Sequence, residues 1–256
     1  MPVLTDGPWT ERILGGFDLE TTGPEPESAR IVTACLAYFH DGKLSKRTWL
    51  LDPGCEIPEG ATEVHGISTE KARAEGMDYA AGLAEITNCL AWLWGQGAVV
   101  SIYNGSYDCT VMAAESNRIG ANKLWRPGPV VDPYVIDKYW DPDRREKRTL
   151  GMVAAHYDVE LANAHDAGDD TMAAMRLAWV LARKFPEVGA LSVPELMDAQ
   201  AKWHRHNSDS YRDWATTKAA KLRARIEELT QRAAELERRA ANPDSGWPLR
   251  AGVQTS

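Results

Sequence analysis

The chain is short of three things, and each shortage removes a class of protein. Only four cysteines occur in 256 residues, Cys35, Cys55, Cys89 and Cys109, and none stands in a Cys-x-x-Cys pair. A disulfide scaffold and a zinc ribbon are excluded, and a reduced, cytoplasmic protein without zinc is expected. No apolar run is long enough to span a bilayer, and the first residues lack the apolar core of a signal peptide. Positive charge is also scarce, with 29 Lys and Arg against 37 Asp and Glu, for a formal net charge of -8. The broad basic footprint of a general nucleic-acid binder is therefore missing. The deficit is uneven, because residues 201–256 hold eleven Lys and Arg against seven Asp and Glu. A polyanion bound by the acidic remainder must be held by local contacts and bound cations rather than by the field of the whole protein.

What is present is an ordinary globular share of apolar residues, 44%, enough for one sizeable domain and an appendage. Three β-rich runs, 13–19, 31–39 and 44–51, come first, and Asp41-Gly42 between the second and third is a hairpin signal, so three antiparallel strands are expected. His65 falls in a loop on this reading, ahead of a short helix from Ser68 and a longer one over 78–94 with Leu83, Ile86, Leu90 and Leu93 at helical spacing. Strands at 98–103 and 130–131 then alternate with helices, one of them capped by Thr149. The switch from hairpins to strand–helix units predicts an α/β fold with a mixed sheet and helices on both faces.

Three stretches carry chemistry. Asp18-Leu19-Glu20 ends the first strand, and acids two residues apart share one face. Like charges held that close disfavour each other's ionisation unless a hard divalent cation takes their oxygens; on an edge strand the same pattern is only a solvated face. Asn104-Gly105-Ser106-Tyr107-Asp108 lies at the C-terminal end of a central strand, where α/β sheets place ligand-binding groups; Asp108 is either a helix N-cap or a ligand. His165-Asp166-Ala167-Gly168-Asp169-Asp170 opens a long helix; the helix dipole accounts for acids there but not for the histidine.

Asp18-x-Glu20-Thr21-Thr22-Gly23, Asn104-x-x-Tyr107-Asp108 and His165-x-Ala167-x-x-Asp170, in this order, resemble the three motifs of the DEDDh, or DnaQ-like, 3′-to-5′ exonucleases, which include the proofreading ε subunit of DNA polymerase III and ribonuclease T. The likeness covers roughly residues 12 to 185. It departs from the family pattern where Tyr103 stands for a common His and Tyr107 for a common Phe. The resemblance implies a ribonuclease H-like fold and hydrolysis to nucleoside 5′-monophosphates with two divalent ions, Mg²⁺ or Mn²⁺. It implies Asp18, Glu20, Asp108 and Asp170 as metal ligands and His165 as general base. Thr21 and Thr22 would then hydrogen-bond the terminal 3′ hydroxyl, Asn104 would belong to the substrate site, and His65 and Tyr107 would pack against the last bases. DNA against RNA, and a free-standing enzyme against a polymerase subunit, stay open at this level, as does a silent nucleic-acid-binding scaffold; no sliding-clamp peptide of the Gln-x-x-Leu-Phe kind is present.

The exonuclease domain is expected over 1–190, a helical extension over 191–241 and a flexible tail over 242–256. Ser192-Val193-Pro194-Glu195 is a capping box. A helix follows with a break near Asn207-Ser208, and Leu222, Ile226, Leu229, Ala233, Leu236 and Ala240 form a short heptad seam. The seam points to a homodimer or a helical partner through 210–241, with folding back on the domain as the alternative.

Overall fold

The structure is a computed structural model that describes residues 7–120, 125–161 and 165–241; the tail expected over 242–256 lies outside them. Three antiparallel strands come first, β1 (Leu14–Thr21), β2 (Ile31–His40) and β3 (Lys43–Leu50). The β2–β3 turn is the one expected, with Asp41 at φ 49° and Gly42 at φ 72°, the left-handed pair that a two-residue hairpin requires. Helices α1 (Glu59–His65), α2 (Thr69–Glu75) and α3 (Tyr79–Gly95) lead to β4 (Val99–Ser101), and α4 (Ser106–Arg118) leads to β5 (Val130–Val131). Then come α5 (Pro133–Trp140), α6 (Leu150–His156), α7 (Ala167–Lys184), α8 (Pro186–Gly189) and α9 (Val193–Ala241). The strand order is β3-β2-β1-β4-β5, with β4 parallel to β1 and β5 parallel to β4. This is the mixed, helix-flanked sheet that the alternation predicts.

Gly15 and Gly16 let β1 lie at the centre. A Cβ on Gly15 would stand 2.7 Å from Leu93 of α3, and one on Gly16 would stand 2.5 Å from Met175 of α7. Two bare backbone positions thus allow a helix to close on each face of the strand. The apolar side chains divide accordingly. Phe17, Leu19 and Leu36 pack with Leu83, Ile86 and Leu90 on one face. Ala37, Met175, Leu177 and Leu181 pack with Val135, Val153 and Leu196 on the other. Asp18 and Glu20, in register with Gly16, emerge on the α7 face at the C-terminal end of β1. A register shift between Glu20 and Thr21 breaks the ladder beside them, as bulges near sites commonly do.

Two expectations are corrected. His65 is the last residue of α1 rather than a loop residue; Pro58 before the helix and the left-handed Gly66 after it (φ 74°) bound about two turns, too short to show helical periodicity. The break near Asn207-Ser208 is absent, since α9 continues through both. Asn207 is buried there and donates from its amide to Val135 O at 3.3 Å, so a residue with weak helix preference is held by a tertiary contact. The glutamate half of the capping box forms, with Ser192 N and Oγ both donating to Glu195 Oε2. The chain divides into two compact units, Met1–Asn207 and Ser208–Ser256.

Candidate active site

A cavity of about 440 Å³ at the C-terminal ends of β1 and β4 is lined by Asp18, Glu20, Asn104, Tyr107, Asp108, His165 and Asp170. Asp18 and Glu20 are part-exposed to it, whereas Asp108 and Asp170 are buried. Asp108 is not the N-cap of α4; that position is Gly105. Its carboxylate instead crosses to β1 and accepts from Leu19 N at 3.1 Å. At the third stretch the acids divide their work. Asp166 caps α7 by accepting from Gly168 N and Asp169 N, while Asp170 turns inward and takes His165 N at Oδ2, 3.1 Å. Its other oxygen, Oδ1, is buried with no hydrogen-bond partner. His165 holds φ 66°, a strained conformation for a side-chain-bearing residue, and its ring is exposed. Oxygens of Glu20 and Asp170 and a ring nitrogen of His165 all lie within 4.8 Å of one another.

No ion pair among the described residues reaches Asp18, Glu20, Asp108 or Asp170. The consequence is electrostatic. Burial, and then Asp108 and Glu20, hold Asp18 well above the ordinary carboxylate range. Burial, with Asp170 and Asp166 beside it, pushes Glu20 up to about 8. Burial raises Asp108 to about 8 against the opposing backbone N–H groups, and Asp170 to about 6 against the hydrogen bond from His165 N. The cluster is poorly satisfied as it stands: charged acids repel, and one buried oxygen has no donor. A carboxylate cluster with these defects fits a divalent cation, which would supply the missing positive charge.

A second cavity of about 440 Å³ adjoins the first and is lined by Thr21, Thr22, His65, Tyr107, Val64 and Pro24. The hydroxyls of this wall are already engaged. Tyr107 Oη hydrogen-bonds Thr21 Oγ1 and Gly23 O, and Thr22 Oγ1 accepts from Arg30 N at 2.9 Å. The oxygen that distinguishes Tyr107 from Phe therefore ties α4 to the turn after β1. His65 accepts from Ile67 N at Nδ1, 3.2 Å, which leaves the proton of the neutral ring on Nε2. Burial lowers its pKa.

Several residues that the sequence reading missed hold this site in place. Asp132 accepts from Asn104 N and Gly105 N, each at 2.9 Å, and from Tyr134 N and Val135 N. It thereby fixes the left-handed turn at Asn104 (φ 57°) that aims α4 and Asp108. Gln200 of α9 accepts from Asp132 N at 2.6 Å. Below the cavity wall, buried Asp137 receives Arg144, Arg148 and Tyr157, and Tyr103 Oη donates to Arg148 O at 2.8 Å. One local signal was available: Asp132-Pro133 after an apolar pair is an N-cap followed by proline at the first helical position, and it marks α5.

A sheet of this order, flanked by helices and with an acid-lined cavity at the ends of its central strands, is a ribonuclease H-like α/β domain. The family model described as Exonuclease, of the RNase T type, matches residues 16–178, and the chain belongs to that DnaQ-like exonuclease family. DNA polymerase III PolC-type of Clostridium perfringens is 25% identical over 172 residues, 67% of this chain and 11% of that protein, so the chain spans about a ninth of the relative's length. Among solved structures, Escherichia coli exonuclease I in complex with a dT13 oligonucleotide superposes with a TM-score of 0.57 at 20% identity, over 69% of this chain and 42% of that one. A moderately thermophilic exonuclease I from Methylocaldum szegediense gives 0.55 at 18% identity, over 69% and 41%. These likenesses show the fold.

Proposed function

We propose that the chain is a metal-dependent 3′-to-5′ exonuclease of the DEDDh type, releasing nucleoside 5′-monophosphates from the ends of single-stranded nucleic acid. The observation that carries this reading is one cavity with four carboxylates, no cation among the described residues paired to any of them, and a buried Asp170 oxygen without a donor. Asp18, Glu20 and Asp170 would hold two divalent ions directly, and Asp108, committed on one oxygen to Leu19 N, would hold through water. The ions supply activation of the attacking water and neutralisation of charge on the leaving oxygen. His165 takes the proton of the attacking water on its exposed ring, and its position just before α7 places that ring beside Glu20 and Asp170. The adjoining apolar cavity receives the terminal bases, with His65 and Tyr107 as stacking surfaces.

Oligonucleotides labelled at the 3′ or the 5′ end test the reading. With Mg²⁺ or Mn²⁺ the 3′ label leaves first, as a mononucleotide, and EDTA stops its release. Release from the 5′ end, or hydrolysis unaffected by EDTA, overturns it. Matched DNA, RNA and 3′-mismatched duplex substrates in the same assay separate a free-standing nuclease from a proofreading one.

A further inference from the structure

We propose that the second unit carries a track for single-stranded nucleic acid, formed by Tyr211, Trp214, Lys218, Lys221 and Arg225 along one face of α9. The inference takes the identity of its polyanion from the exonuclease reading. The five residues stand at i, i+3, i+7, i+10 and i+14, which places them on one side of a helix over about 21 Å. Tyr211 and Trp214 are 61% and 60% exposed, so core packing does not account for them. Their rings lie 5.7 Å apart at 33°. From Ser210 to Arg225 the sequence holds five Lys and Arg against Asp213 alone, in a chain that is acidic overall. Asp213 points about 100° away from Trp214 around the helix. Arg225 is paired with Glu228, whereas Lys218 and Lys221 enter no ion pair among the described residues.

Exposed rings followed by unpaired lysines on one helix face are what a strand of bases and phosphates requires. Every base offers a π-face to a ring, and the lysines answer the phosphates without reading sequence. A protein helix fits this face less well. The apolar seam of Leu222, Ile226, Leu229 and Leu236 continues backwards through Ala215 and Ala219, not through the two rings. Beside that seam, Lys218, Arg225, Arg232 and Arg239 recur every seven residues, so an antiparallel self-pair sets like charges against each other.

Anisotropy of labelled dT30 with the full chain in EDTA tests the track without hydrolysis. Tyr211→Ala and Trp214→Ala should each weaken binding about 5- to 150-fold, the loss expected for one stacked base. Lys218→Gln with Lys221→Gln should flatten the slope of log affinity against log salt by about 1.4. Leu229→Ala, on the seam, should leave affinity unchanged. Equal affinity in the parent and both ring variants overturns the track. So does sedimentation showing a self-associated parent and a monomeric Trp214→Ala, because the face is then an interface between copies. Ring-dependent binding by a chain that hydrolyses no 3′ end supports the track and removes the exonuclease reading; hydrolysis with ring-independent binding does the reverse.

Discussion

The first compact unit buries carboxylates in contrasting ways. Asp137 is fully buried and receives two arginines and a tyrosine hydroxyl; Asp108 and Asp170 are nearly as deep, stand with Asp18 and Glu20, and receive only backbone N–H groups. The depth is similar and the compensation is not. A buried charge with its counter-charges built in is complete, and its role is to hold α5 to the segment carrying Arg144 and Arg148. Carboxylates crowded together with no counter-charge among the described residues are incomplete, a defect that a bound cation would relieve. Asp132 is a third solution, in which four backbone N–H groups oppose the burial that still raises it to about 6.

The largest effect separates the first two cases directly. Asp18→Asn should lower exonuclease turnover on the order of 10³-fold or more, since it removes a ligand worth several kcal/mol of charge stabilisation. Its melting temperature in EDTA should stay the same or rise, because an acid whose ionisation burial and its neighbours oppose becomes a neutral amide. Asp137→Asn should do the opposite to stability: two buried guanidinium groups lose their partner, at a cost of about 3–5 kcal/mol and roughly 6 to 20 °C in Tm. Thermal unfolding by circular dichroism reads both; a large metal-free Tm loss in Asp18→Asn would erase the distinction.

His165→Ala should lower kcat by about 10²- to 10⁴-fold. Because the ring nitrogen also lies within ligand distance of Glu20 and Asp170, metal titration sharpens the assignment. A base leaves the Mg²⁺ dependence of the rate in place, and a ligand does not.

The unpaired cluster should also show itself in the pH dependence of stability. Glu20 and Asp108 titrate near 8 in the fold and in the ordinary carboxylate range once unfolded. Between about pH 4 and 8 the folded chain therefore holds protons that the unfolded chain releases, and stability in EDTA falls as pH rises through that window. Divalent metal removes the reason for the protons, so the Tm gain on adding Mg²⁺ should be larger at pH 8 than at pH 5. Equal gains at both values would count against a metal role for these acids. The smallest effect is that of Tyr107→Phe, which deletes the hydroxyl between Thr21 and Gly23; about 1 kcal/mol and 2 to 4 °C of Tm should be lost, with turnover changed less than tenfold.

The strands, the Asp41-Gly42 hairpin and the capped starts of α6 and α9 were legible in the chain because each is set by neighbours a few residues apart. So were the acids: Asp18 and Glu20 share a face by the two-residue period of a strand, and Asp170 follows His165 at a helix start. Tertiary structure alone decided the rest. Whether a carboxylate is complete depends on partners 7, 11 and 20 residues away for Asp137 and 28 away for Asp132, and nothing in the local spacing distinguishes Asp137 from Asp108. The continuity of α9 through Asn207 likewise rests on a contact with Val135, 72 residues distant. Local periodicity specifies which face a residue takes, whereas the charge and hydrogen bonds that it meets there belong to whichever other segment the fold brings up against it.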